Sequence, residues 1–80
     1  MKLPRDISAK DLIKALSCLD YEVTRQTGSH VRLTTQRNGK HSITVPAHDP
    51  IKIGTLNAIL RGISEHHQIN RDELIRILFE

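Results

Sequence analysis

At 80 residues, 38% hydrophobic and 26% charged, the chain is expected to be one soluble domain spanning 1–80, with one small core and no room for a deep pocket. Tyr21 and Phe79 are the only aromatics, which argues against surfaces that stack RNA bases on rings. The lone Cys18 excludes an intrachain disulfide and a Cys-based metal site.

The net charge of +3 is mild, but its distribution is not. No Asp or Glu lies between Val23 and His48, where Arg25, Arg32, Arg37, Lys40 and three of the five histidines gather. Such a field either concentrates phosphate ligands or is simply a solvated face. No apolar run exceeds three residues, so neither a secretory signal nor a membrane span is expected, and a cytoplasmic setting is the default.

The first predicted element is an amphipathic helix of about twelve residues. Ser8 and Asp11 form a capping-box-like pair, and Leu12, Ile13, Ala15, Leu16 and Leu19 recur at helical spacing. Cys18, near its end, is expected to pack among apolar neighbours.

Three strands are predicted next. Tyr21–Thr27 places Tyr21 and Val23 on one face, with Glu22, Thr24 and Gln26 on the other. His30–Thr35 turns Val31 and Leu33 inward and His30, Arg32 and Thr34 outward. His41–Val45 turns Ile43 and Val45 inward, with His41 in the inward register and partly packed. Gly28-Ser29 suits a tight reversal between the first two strands, Asn38-Gly39 is a hairpin signal between the next two, and Pro46 ends the ladder.

After the Ala47-His48-Asp49-Pro50 loop, Gly54-Thr55 is expected to open a second helix, with Thr55 as N-cap and a stripe of Leu56, Ile59, Leu60 and Ile63. The polar stretch Glu65-His66-His67-Gln68 ends it, with both histidines expected in solvent. Asn70 and Glu73 cap a last helix through Leu74, Ile75 and Leu78. The order α-β-β-β-α-α predicts an α+β layer, helices packed on one face of a three-stranded antiparallel sheet.

His30 is the candidate for chemistry. It sits where the chain leaves a turn for a strand, accessible, in a basic setting, and imidazole titrates near neutral pH. RNA carries its own nucleophile, the 2′-OH, so cleavage needs proton transfer and charge neutralisation at phosphate. Arg32 lies two residues along on the same face and suits bidentate phosphate contact. Ser29, Lys40, His48 and Lys52 are further candidate RNA contacts. For His48 the alternatives are second proton carrier, phosphate contact or loop cap. For His30 the alternative is a turn histidine bonded to a carbonyl. No metal site is expected: His66 and His67 are adjacent, about 100° apart on a helix.

Three runs together resemble the HicA family of toxin mRNA interferases: Gly28-Ser29-His30-Val31-Arg32-Leu33, Ile43-Thr44-Val45-Pro46-Ala47-His48, and Lys52-Ile53-Gly54-Thr55-Leu56 with Ile59-Leu60. The opening Leu3-Pro4-Arg5-Asp6-Ile7-Ser8 fits as well, and the resemblance runs from about residue 3 to 61. It implies a fold like the double-stranded-RNA-binding domain and cleavage of messenger RNA without a metal or other cofactor. It also implies a HicB-type antitoxin partner, and it places the catalytic histidine at His30. Relative to the family pattern, residues 62–68 are an insertion before Ile69-Asn70. A non-catalytic RNA-binding module is the alternative function.

Overall fold

The computed structural model describes residues 6–80, so the Leu3-Pro4-Arg5 part of the resemblance lies outside the described residues. Helix α1 (Ala9–Leu16) begins where the extended Ser8 accepts the Asp11 N–H on its hydroxyl at 3.0 Å, the predicted cap. Its stripe buries Leu12 and Leu16 completely. A 3-10 turn (Ser17–Leu19) follows, closed by Asp20 in the left-handed region at φ 62°. Cys18 is exposed on this turn, contrary to the packing role expected of it, because the tighter 3-10 winding directs Leu19 inward instead.

Strands β1 (Glu22–Thr27), β2 (His30–Thr35) and β3 (His41–Pro46) pair antiparallel in that order. Thr27 faces His30 across the two-residue turn Gly28-Ser29. Gly28 has φ +55° while Ser29 stays at negative φ, the sign pattern of a type II′ turn. Asn38 (φ 58°) and Gly39 (φ 95°) provide the second reversal, in a five-residue loop between Thr35 and His41.

Strand β1 departs from simple alternation. Val23 faces Leu33 and Arg25 faces Arg32, so Thr24 is an extra residue, a β-bulge. Beyond it the side-chain faces exchange: Gln26 takes the register of the inward Val31, and Arg25 that of the outward Arg32. Val23 is also half-exposed rather than packed, since β1 is an edge strand. Tyr21, just before the strand, is the buried residue.

The inner face of the sheet offers Val31, Leu33 and Val45 to α1, α2 (Ile53–His67) and α3 (Arg71–Phe79). Leu56, Leu60, Ile63, Leu74, Ile75 and Leu78 complete one continuous core. The predicted α-β-β-β-α-α order and three-stranded antiparallel sheet are therefore those observed. Buried Thr35 is satisfied twice, donating to the Leu19 carbonyl at 2.9 Å and accepting from the Arg37 N–H at 3.1 Å.

Helix α2 starts three residues earlier than expected, with Lys52 rather than Thr55 at its N-cap. Ile51 is buried and donates its N–H to the Ile7 carbonyl at 2.8 Å, which fixes the chain's entry point. Lys52 then stands at the cap position without a side-chain bond, its carbonyl taking the Leu56 N–H at 2.9 Å. Helix α3 begins as expected, with Asn70 Oδ1 accepting from the Glu73 N–H at 2.8 Å. Among the described residues no helix is long and apolar enough to cross a membrane.

Candidate functional site

The face of the sheet turned away from the helices is polar throughout. Strand β2 contributes His30 and Arg32, both exposed, and half-buried Thr34; β3 contributes half-buried Ser42 and exposed Thr44. Hydroxyls link the three strands: Thr24 Oγ1 lies 3.2 Å from Thr34 Oγ1, which lies 2.9 Å from Ser42 Oγ. A shallow depression on this face is lined by Thr24, Arg25, Arg32, Thr34, Gln36, Lys40 and Ser42, with no carboxylate among them.

His30 sits at one end of that face. It opens β2 opposite Thr27 on one side and Pro46 on the other, so the ladder stops there. The Ala47 N–H donates to the Ser29 carbonyl at 2.6 Å, holding the turn against the chain leaving β3. The His48 carbonyl accepts from the Ala9 N–H at 3.1 Å, which ties the same segment to the start of α1. Ser29, His30 and His48 are thus exposed residues of the turn, strand start and following loop at one end of the sheet, while Lys52 is exposed at the start of α2. Arg32 is two residues inward along β2, about 7 Å. Lys40 belongs to the opposite end, beyond Thr35, about 17 Å along the strand from His30. It shares the depression with Arg32 but not the immediate surroundings of His30.

The other histidines resolve into a structural cluster at that far end. His66 and His67 are not in solvent as expected. Helix α2 continues unbroken through Gly62 to His67, and its last turn packs under the 36–40 loop. His66 Nε2 lies 3.0 Å from the Arg37 carbonyl and 3.1 Å from the Gly39 carbonyl, so that nitrogen carries a proton and donates to both. The Asn38 amide nitrogen stands 3.2 Å from His67 Nδ1, and Tyr21 Oη stands 3.1 Å from His67 Nε2 and 2.7 Å from His41 Nδ1. One assignment satisfies every atom: Asn38 donates to His67 Nδ1, His67 Nε2–H donates to Tyr21, and the Tyr21 hydroxyl donates to His41. His41 and His66 also stack, with centroids 4.4 Å apart.

That chain requires neutral His41 and His67. Burial lowers the pKa of His41 below the ordinary 6.5, with the nearby His66 adding to the effect. Burial does the same for His67, followed by His66, His41 and Arg37. Burial alone pushes Tyr21 up to about 12, so it remains a donor across the physiological range. The unfolded chain therefore binds protons below pH 6.5 that the folded chain resists. Stability should be full above pH 6.5, fall as pH drops through that value, and level off below the folded-state values. Urea unfolding at pH 7.5 and pH 5.0 checks this; equal or higher stability at pH 5.0 contradicts it.

Sequence reasoning brought out His30 and Arg32 on one face but missed Arg25 and the Tyr21–His41–His67 chain. The first depends on a bulge, and the second joins residues 46 positions apart.

Together these features define a class: a small α+β domain whose three-stranded sheet carries a cationic open face with an accessible imidazole at its end. Residues 9–63, more than half the chain, match the family model for the HicA toxin of bacterial toxin–antitoxin systems, and the chain belongs to that family. The match stops inside α2, so the turn bearing His66 and His67, and all of α3, lie beyond it. Searches of curated proteins and of solved structures return no significant match.

Proposed function

We propose that this toxin is an endoribonuclease that cleaves messenger RNA without a metal ion, and that His30 carries one of its two proton transfers. The observation that supports it is an exposed imidazole on rigid backbone, two residues from an Arg32 that forms no ion pair among the described residues, in a chain of this toxin family. The ribose 2′-OH attacks the adjacent phosphorus and loses its proton, the P–O5′ bond breaks, and the 5′-oxygen gains a proton. A 2′,3′-cyclic phosphate and a 5′-hydroxyl result. His30 moves one of these protons. Arg32 neutralises charge on the phosphoryl oxygens, where a guanidinium offers two parallel N–H donors. Ser29, His48 and Lys52 hold the backbone near the cut, and Lys40 holds it at the far end of the face. Among the described residues no group of three His, Cys, Asp or Glu side chains is placed to bind a metal.

The partner implied is a HicB-type antitoxin whose acidic surface covers this basic face in the resting complex. The test is cleavage of an end-labelled single-stranded RNA by purified toxin in excess chelator, with the product ends identified. Persistent cleavage that leaves a cyclic phosphate is expected. Loss of cleavage on chelation, restored by a divalent ion, overturns the metal-independent route. Binding without any cleavage makes the protein a non-catalytic RNA-binding module instead.

A further inference from the structure

The bulge in β1 places two arginines in a position that a protein alone does not favour. Arg25 and Arg32 are directly opposed across β1 and β2 on the open face. Directly opposed side chains have Cβ atoms about 4.5–5.5 Å apart, and like charges there destabilise a sheet. Neither arginine has a carboxylate within ion-pair distance among the described residues; the ion pairs formed there are Arg37–Asp20 and Arg61–Glu65. Glu22 is the nearest acid in register, opposite Thr34 and one step beyond Arg32 on that face, and it forms no ion pair with either arginine. The alternative arrangement was one residue away. Without the bulge, Arg25 would take the inward register opposite Val31 and Thr24 would face Arg32. Bulges commonly re-aim a side chain beside a functional site.

We infer that Arg25 and Arg32 form a two-guanidinium clamp for one phosphate of the RNA strand, about 7 Å along the sheet from His30. An anion between the two planes turns a repulsive pair into two charge-assisted contacts. Thr24, Thr34 and Ser42 line the same depression, and their linked hydroxyls suit sugar and phosphate oxygens rather than base edges. No aromatic ring lines it, so the clamp reads the backbone and tolerates any base.

The assignment of the phosphate to RNA rests on the proposed ribonuclease reading, so the test separates the two. Binding of a labelled oligoribonucleotide is measured in the His30→Ala background, where cleavage cannot interfere, with Arg25→Gln, Arg32→Gln and the double variant. Each single change should weaken binding roughly tenfold, the loss of about one charged contact. The double variant should be only slightly weaker than either single one, because both act on one phosphate. Inorganic phosphate should raise the melting temperature of the parent protein and not of Arg25→Gln. Without phosphate, Arg25→Gln should melt no lower than the parent. Unchanged affinity in the single variants, or losses that multiply independently, overturns the clamp. Phosphate stabilisation that persists in Arg25→Gln also overturns it. A toxin that binds through this clamp but never cuts RNA would defeat the ribonuclease reading alone.

Discussion

His30→Ala should lower RNA cleavage by about 10²- to 10⁴-fold, the usual worth of a positioned general acid or base. The fold should survive the change. His30 is exposed, its side chain makes no hydrogen bond among the described residues, and it starts its strand rather than crossing the core. Circular dichroism and thermal melting should therefore match the wild type. His30→Gln separates proton transfer from positioning, since the amide retains polarity and approximate size but cannot titrate near neutral pH. A Gln variant as inactive as Ala supports proton transfer. One that regains most of the activity assigns His30 a positioning role. RNA binding should change little in either variant, because Arg25, Arg32 and Lys40 remain.

Tyr21→Phe should have the largest effect on stability of any single-atom deletion in the molecule. The hydroxyl it removes joins His67 Nε2 to His41 Nδ1 in a largely buried chain, and among the described residues no other group bonds either nitrogen. Leaving a buried polar atom unsatisfied costs about 1–3 kcal/mol. For a domain of this size each kcal/mol lowers the melting temperature by about 4–8 °C. Cleavage at a temperature where the variant is folded should persist, because the cluster lies at the opposite end of the sheet from His30. The variant's stability should still fall between pH 7.5 and 5.0, since burial, the main cause of the lowered His41 and His67 values, remains. A variant as stable as the wild type contradicts the hydroxyl's place in the chain.

These two residues also mark how far the sequence could be read. Local rules were sufficient for the caps at Ser8 and Asn70, both reversals, and the outward register of β2 that exposes His30 and Arg32. Each is decided within about four residues by backbone geometry or alternation. The start of α2 was not legible, because it depends on Ile51 bonding to Ile7 across the chain. The exposure of His66 and His67 was misjudged for a similar reason. Their partners are Tyr21, Asn38 and the carbonyls of the 36–40 loop, brought near only by the packed fold. Arg25 was missed because alternation assumes no bulge, and a single extra residue moves a side chain to the opposite face. Thus the chain's obvious histidine pair is structural, and the candidate for chemistry is the solitary imidazole on the open face.

The most direct test of the central claim is the initial rate of cleavage of one defined, end-labelled RNA by purified, antitoxin-free toxin, wild type beside His30→Ala. Both proteins must first be shown to be folded. The account predicts cutting by the wild type and at most about a hundredth of that rate in the variant. A folded His30→Ala protein that cuts at the wild-type rate would contradict it.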